Sequence, residues 1–91
     1  MAKQDEDELS KYRLVVKLFS PFQTYFQGEA VSVSAYNTIG AFDILAGHSN
    51  FFSLLTAGDI TINTGYQEVK VNVPNGVVRV SNNTVTLFVN I

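Results

Sequence analysis

The chain of 91 residues contains no cysteine, no tryptophan, one histidine and two prolines. Without cysteine it can form neither disulfides nor thiolate metal sites. No apolar run approaches the roughly 20 residues of a membrane-spanning helix, and the N-terminus lacks the charged-then-apolar order of a signal peptide. These absences predict one small cytosolic domain that folds around a hydrophobic core.

Charged residues are also scarce, at 15% of the chain, against the roughly 25% that is usual for soluble domains. Four of the eight acidic residues fall within residues 1–10, next to a single lysine. We therefore expect residues 1–10 to be a disordered acidic tail and residues 11–91 to form one domain. The remaining residues are nearly neutral, which disfavours nucleic acid as a partner, and so low a charge favours a surface partly covered by another protein.

Short stretches of alternating apolar and polar residues fill the chain from Tyr12 onward. The first, Tyr12–Phe19, alternates for eight residues and ends at Pro21, which cannot donate to a β-ladder. Asn75-Gly76 and Ser81–Asn83 predict hairpin turns. The pattern predicts an all-β fold, a flattened β-sandwich or barrel of about 8–10 short strands without a long helix.

The segment from Gly40 to Gly58 holds three further features of note: two apolar clusters, an internal glycine and the only histidine. Asp43, His48 and Asp59 are the only candidates for a metal or acid–base site. A metal site needs about three convergent ligands. Asp43 and His48 are separated by a glycine turn, and neither a strand nor a helix would place their side chains on one face. We expect turn-forming aspartates and a histidine that shapes a loop, and no catalytic residues.

Aromatic residues allow two interpretations. Most phenylalanines of so small a fold belong in its core, for which we select Phe42, Phe52 and Phe88. The remaining surface candidates are Tyr36, Phe51 and Tyr66. Exposed aromatic rings could instead form a stacking platform, so the alternative function is a carbohydrate-binding or adhesive β-sandwich module.

The order of five motifs resembles the epsilon subunit of rotary F-type ATP synthases over about residues 12–90. Each motif is weak alone, but together and in this order they are fairly specific. They are Leu14-Val15-Val16-Lys17-Leu18 with Ser20-Pro21, Tyr25 with Gly28-Glu29-Ala30-Val31-Ser32-Val33, Gly40 to His48, Leu55 to Ile62, and Asn75 to Leu87.

The resemblance implies a flattened β-sandwich at the foot of the central rotor stalk. Such a protein would bind the gamma subunit and the polar loops of the membrane c-ring, and would couple proton translocation to ATP synthesis without catalysing a reaction itself. No cofactor, metal or nucleotide is expected. The protein would be cytoplasmic and peripheral, held at the inner face of the cell membrane by the complex and not inserted in the bilayer.

The resemblance also implies a set of interface residues. The turn that would face the c-ring comprises Asn37, Thr38, Ile39, Gly40 and Ala41. His48 matches a family histidine that shapes the following turn, and we add the neighbouring Phe51 as a candidate for partner contact.

Four departures from the family pattern, three of sequence and one of length, alter these expectations. Ala41 replaces a usual acidic residue, so the ring contact should be less charged, and Ala46 replaces a usual proline. Asn75-Gly76 replaces paired glycines, which leaves one position free to adopt a positive φ. The family typically continues into a helical hairpin that can bind ATP and restrain rotation. Because this sequence stops at Ile91, we expect neither activity in it.

Overall fold

The computed structural model describes residues 13–91, and the expected acidic tail at residues 1–10 lies outside the described residues. The described part is all-β, as predicted, and contains nine strands. This described part contains no helix that is long and apolar enough to span a membrane. The strands are β1 (Leu14–Phe19), β2 (Thr24–Ala30), β3 (Ser32–Asn37), β4 (Gly40–Leu45), β5 (Phe51–Leu55), β6 (Gly58–Asn63), β7 (Glu68–Val73), β8 (Gly76–Ser81) and β9 (Thr84–Val89).

The strands form two sheets packed as a sandwich. The five-stranded sheet has the order β2-β1-β9-β8-β5, and the four-stranded sheet has the order β4-β3-β6-β7. Neighbouring strands are antiparallel except β1 and β9, which are parallel and in register from Val15 opposite Thr84 to Phe19 opposite Phe88. The first and last strands of the described fold therefore lie side by side in the centre of one sheet.

Alternation along each strand produces the core. In β1, Leu14, Val16 and Leu18 are buried and the residues between them are more exposed, because successive side chains of a strand point to opposite faces. The branched residues of β6, β8 and β9 also belong to this core between the two sheets. The buried apolar residues are Leu14, Val16, Leu18, Ala30, Val33, Ala35, Ile44, Leu55, Ile60, Ile62, Val73, Val78, Val80, Val85, Leu87 and Val89.

The predicted turn at Ser81–Asn83 is a two-residue hairpin between β8 and β9. Ser81 pairs with Thr84, and φ is +50° at Asn82 and +61° at Asn83. Positive φ at both central residues is the signature of a type I′ turn, and asparagine tolerates this conformation better than most residues. The hairpin prediction is confirmed here.

The other hairpin prediction, at Asn75-Gly76, is wrong. The chain turns there, but β7 belongs to the four-stranded sheet and β8 to the five-stranded sheet, so the link crosses between sheets. Gly76 is also absent from the glycines with positive φ. A Cβ at Gly76 would lie 2.6 Å from the carbonyl oxygen of Phe88. Glycine is therefore required for close packing against β9 and not for its backbone conformation.

Candidate partner-binding surface

The predicted ring-facing turn, residues 37–41, projects from the hairpin of β3 and β4. The side-chain Oδ1 of Asn37 accepts hydrogen bonds from the backbone N–H groups of Ile39 at 3.0 Å and Gly40 at 3.2 Å. Such a bond between an asparagine and the following backbone stabilises a turn. Ile39 at its tip is 95% exposed. The turn is thus well fixed and presents an aliphatic side chain to solvent.

The same turn lies beside the edge strand of the other sheet. Asn37 Nδ2 donates to Ser53 Oγ in β5 at 3.3 Å, and the backbone N–H of Thr56 donates to the carbonyl oxygen of Tyr36 at 3.0 Å. These bonds join the end of β3 to the end of β5. We call this end of the sandwich, which also holds the start of β8, the β3–β4 end.

His48 lies at the opposite end, so the structure does not bring the predicted interface residues together. The backbone N–H of Gly47 donates to Asn83 Oδ1 at 2.8 Å, which attaches the loop before β5 to the β8–β9 turn. The ring of His48 lies 2.8 Å, through Nδ1, from the carbonyl oxygen of Ser49 and makes an edge contact with Phe51 at 5.4 Å between centroids. Both contacts hold the loop in place.

Phe51 is half-buried and packs against the core, with its centroid 5.6 Å from that of Phe42. Its neighbour Phe52 points the other way and is 65% exposed. The assignment of Phe52 and Phe88 to the interior is therefore wrong, because both lie on the outer face of the five-stranded sheet. Phe42 does pack partly against the core, and Tyr36 and Tyr66 are exposed as predicted.

The three residues considered for metal or acid–base chemistry do not converge. Asp43 lies within β4, not in a turn, and accepts a hydrogen bond from Ser34 Oγ at 2.6 Å. Asp59 lies in β6 and accepts one from Asn72 Nδ2 at 2.8 Å. Among residues 13–91, no group of three His, Cys, Asp or Glu residues is placed to hold a metal ion. Each aspartate is therefore hydrogen-bonded to a side chain of the neighbouring strand in the four-stranded sheet.

Sequence reasoning missed a band of apolar side chains across the outer face of the five-stranded sheet. The registers place one residue from each of four adjacent strands in a line. Adjacent members of such a line are directly opposite on neighbouring strands and contact one another. This apolar row consists of Leu54, Val77, Phe88 and Phe19.

The apolar row is only partly shielded by its own members. Phe19 and Phe88 meet edge to face, with ring centroids 5.1 Å apart, and Leu54 at the edge of the sheet is 66% exposed. A shallow groove of about 340 Å³ opens at its β5 side, lined by Leu54, Val77 and Phe88 with polar Asn75 and Asn90 at the rim. An apolar centre with a polar rim is the usual anatomy of a protein-binding surface.

The two most exposed aromatic rings lie at opposite ends of the sandwich and form no common surface. Phe22, 88% exposed, lies in the turn after β1, whereas Tyr66, 91% exposed, lies in the turn between β6 and β7. The pairing of β1 with β9 places Phe22 at the β3–β4 end, and the pairing of β3 with β6 places Tyr66 at the opposite end. A stacking platform made from these two rings is not present.

The fold and its surface define a class of protein: a small two-sheet β-sandwich domain with an exposed apolar row on one outer face. The chain belongs to the family of the ATP synthase delta/epsilon chain β-sandwich domain, whose family model matches residues 13–91.

Similar proteins agree with this family. The chain is 33% identical over 81 residues to an ATP synthase epsilon chain of Francisella tularensis subsp. holarctica, a match that covers 89% of this chain and 56% of that protein. It is 32% identical over 74 residues to an ATP synthase epsilon chain of Bradyrhizobium sp. (strain ORS 278), covering 81% of this chain and 55% of the relative. The chain thus spans little more than half the length of these relatives.

Solved structures share the fold at lower sequence identity. A chain in the cryo-EM structure of Euglena gracilis mitochondrial ATP synthase, OSCP/F1/c-ring, superposes with a TM-score of 0.79 at 16% identity, over 86% of this chain and 51% of that one. A chain in the Tetrahymena thermophila mitochondrial ATP synthase central stalk and c-ring superposes with a TM-score of 0.71 at 19% identity, over 84% of this chain and 62% of that one.

Proposed function

We propose that this chain is the β-sandwich of an epsilon subunit and acts as a non-catalytic part of the central stalk of a rotary ATP synthase. Membership of the family over residues 13–91 supports this role, as do relatives named epsilon chains. The protein would transmit torque through its contacts and would lie at the inner face of the cell membrane as part of the complex.

The apolar row is the surface that we assign to the gamma subunit. It is the observation that carries the proposal, because four apolar side chains lie in a line across the outer face of one sheet and stay partly exposed, Leu54 by 66% and Phe88 by 38%. Burial of such a row beneath a partner would remove apolar surface from water. This transfer is favourable by about 25 cal/mol per Å² of apolar surface buried. A face that stays in contact through rotation needs this kind of large, non-directional attraction.

We assign the turn of residues 37–41 to the polar loops of the c-ring. It projects at the β3–β4 end, adjacent through Asn37 and Ser53 to the strand that carries Leu54. One end of the sandwich could therefore contact two partners at once. With Ala41 exposed on this hairpin and no acidic residue among residues 37–41, the contact would depend on backbone groups, Asn37, Thr38 and the apolar tip.

Site-directed cross-linking tests both assignments, and the cysteine-free sequence makes each introduced thiol the only one in this chain. Leu54→Cys, Ile39→Cys and Lys70→Cys would each be labelled with a photoreactive maleimide on the purified chain and then assembled into the complex. We expect Leu54→Cys to link to gamma, Ile39→Cys to link to subunit c, and Lys70→Cys, on the outer face of the four-stranded sheet, to link to neither. Gamma adducts from Lys70→Cys with none from Leu54→Cys would refute the assignment of faces.

We further propose that residues 13–91 bind no nucleotide, because the family resemblance assigns ATP binding to a helical hairpin beyond this sandwich. Titration of the purified chain with ATP in a calorimeter should give only the heat of dilution. A saturable binding isotherm would contradict this part of the proposal.

A further inference from the structure

Charged residues of the described chain are divided between the two outer faces of the sandwich. The face of the five-stranded sheet carries Arg13, Lys17 and Arg79 with one acid, Glu29. The Nε atom of Arg13 lies 3.8 Å from Oε1 of Glu29, so these two charges offset each other. Lys17 and Arg79 remain as the basic groups of this face.

The opposite face has the reverse balance. The four-stranded sheet exposes three acidic residues and one basic residue: Asp43, Asp59, Glu68 and Lys70. The described residues are therefore neutral in sum but positive on one face and negative on the other. Such a distribution orients a protein as it approaches a charged partner.

Lys17 and Arg79 are placed by the sheet register and not by a local motif. Both are paired with Thr86, Arg79 from β8 and Lys17 from β1, so the three side chains form a second line across the sheet. We call this line the cation row. Its two cations stand two strand spacings apart, about 10 Å.

The cation row borders the apolar row directly. Lys17 stands two residues before Phe19, and Arg79 stands two residues after Val77, so each cation is about 7 Å along its strand from a member of the apolar row. The ammonium group of Lys17 lies over the ring of Phe19, 4.7 Å from its centroid. Among residues 13–91, neither Lys17 nor Arg79 makes an ion pair with a carboxylate.

This adjacency constrains any partner of the apolar row. A specific interface covers about 800 Å² on each protein, which is far more than four side chains in a line and must extend over the neighbouring row. Cations that lose their water beneath a partner cost free energy unless the partner supplies opposite charges. A partner that buries Phe88 and Val77 and extends over the cation row would therefore bind best if it carried negative charges opposite Lys17 and Arg79.

We propose that the cation row recognises carboxylate groups that stand beside apolar side chains on the gamma-subunit surface. This inference rests on the proposed function, which makes gamma the occupant of the apolar row. The apolar row supplies most of the affinity, while Lys17 and Arg79 steer the encounter and fix which way round the sandwich docks.

Charge reversal tests the inference through the kinetics of binding to immobilised gamma subunit at several salt concentrations. The variant Lys17→Glu with Arg79→Glu is compared with Lys70→Glu, which reverses a charge on the other face, and all variants are checked for an unchanged urea midpoint. We expect the wild-type association rate to fall as salt rises. The double reversal should weaken binding at least tenfold and associate faster as salt rises, whereas Lys70→Glu should match the wild type.

The outcomes separate this inference from the proposed function. If Phe88→Ala weakens gamma binding but the double reversal changes neither affinity nor salt dependence, the cation row is not a recognition element and the proposed function stands. If the wild-type chain does not bind gamma at all, the proposed function itself fails. A double reversal that loses binding only to vesicles of phosphatidylglycerol, with gamma binding intact, would overturn the inference in favour of a lipid surface.

Discussion

At the scale of single residues, two asparagine-containing dipeptides with similar sequence signals adopt different roles. Asn82-Asn83 closes a hairpin with positive φ at both positions. Asn75-Gly76 links strands of different sheets, and its glycine is required by a neighbour that is twelve residues away in sequence, Phe88. Local turn chemistry predicts that the chain reverses direction, but the sheet that the next strand joins depends on non-local pairing.

Replacement of Gly76 by alanine should destabilise the fold. The added Cβ would lie 2.6 Å from the Phe88 carbonyl oxygen and 3.2 Å from Val89 Cα, both backbone atoms of a central strand. We expect the free energy of unfolding to fall by about 1–3 kcal/mol, as for other overpacked sites. Urea denaturation measures this loss, with the adjacent exposed Asn75→Ala as the control. Equal midpoints for the two variants would show that the strands can separate at no cost.

The β8–β9 turn offers a matched pair of glycine substitutions. Both Asn82→Gly and Asn83→Gly tolerate positive φ, but only Asn83 also accepts the hydrogen bond from Gly47 through its side chain. We expect Asn83→Gly to lower the free energy of unfolding by about 1 kcal/mol and Asn82→Gly to change it little. Thermal unfolding of the two variants checks the difference, and a greater loss for Asn82→Gly would contradict this role for Asn83.

At the scale of strands, alternation predicted the all-β fold because a period of two is visible in sequence. It could not assign Phe52 and Phe88 correctly. A strand with apolar residues on both faces, as in Phe51-Phe52 or Leu87-Phe88, does not reveal which face meets the other sheet. That choice is set by the register with neighbouring strands, here Phe52 opposite Arg79 and Phe88 opposite Val77.

Leu87 and Phe88 of β9 are adjacent residues with opposite environments, and alanine substitution should separate their roles. Leu87 is fully buried, so Leu87→Ala should cost about 2–5 kcal/mol of stability. Phe88 is partly exposed and contacts Phe19, so Phe88→Ala should cost less, about 1–2 kcal/mol. Guanidinium denaturation of both variants measures the difference. A reversed order would mean that the outer face, not the interior, stabilises the sandwich.

At the scale of the whole molecule, the sandwich separates a face whose charged residues are mainly acidic from a face that combines the apolar row with the cation row. Sequence could predict the turn at residues 37–41, because that turn is one continuous segment; its contact with the c-ring stays a prediction. It could not predict the apolar row, whose members come from four strands that span residues 19–88 and meet only through register. It also grouped His48 with the ring-facing turn, although the two lie at opposite ends of the fold.

The most direct test of the account is the affinity of the purified chain for the gamma subunit when the apolar row is shortened. Calorimetric titration of gamma with the wild-type chain should show binding with a negative heat-capacity change, the signature of buried apolar surface. The variant Leu54→Ala with Phe88→Ala, confirmed as folded, should bind at least tenfold more weakly, while Tyr66→Ala at the far end should bind like the wild type. Undiminished binding by the Leu54→Ala, Phe88→Ala variant would contradict the central claim that this face holds the protein on the rotor.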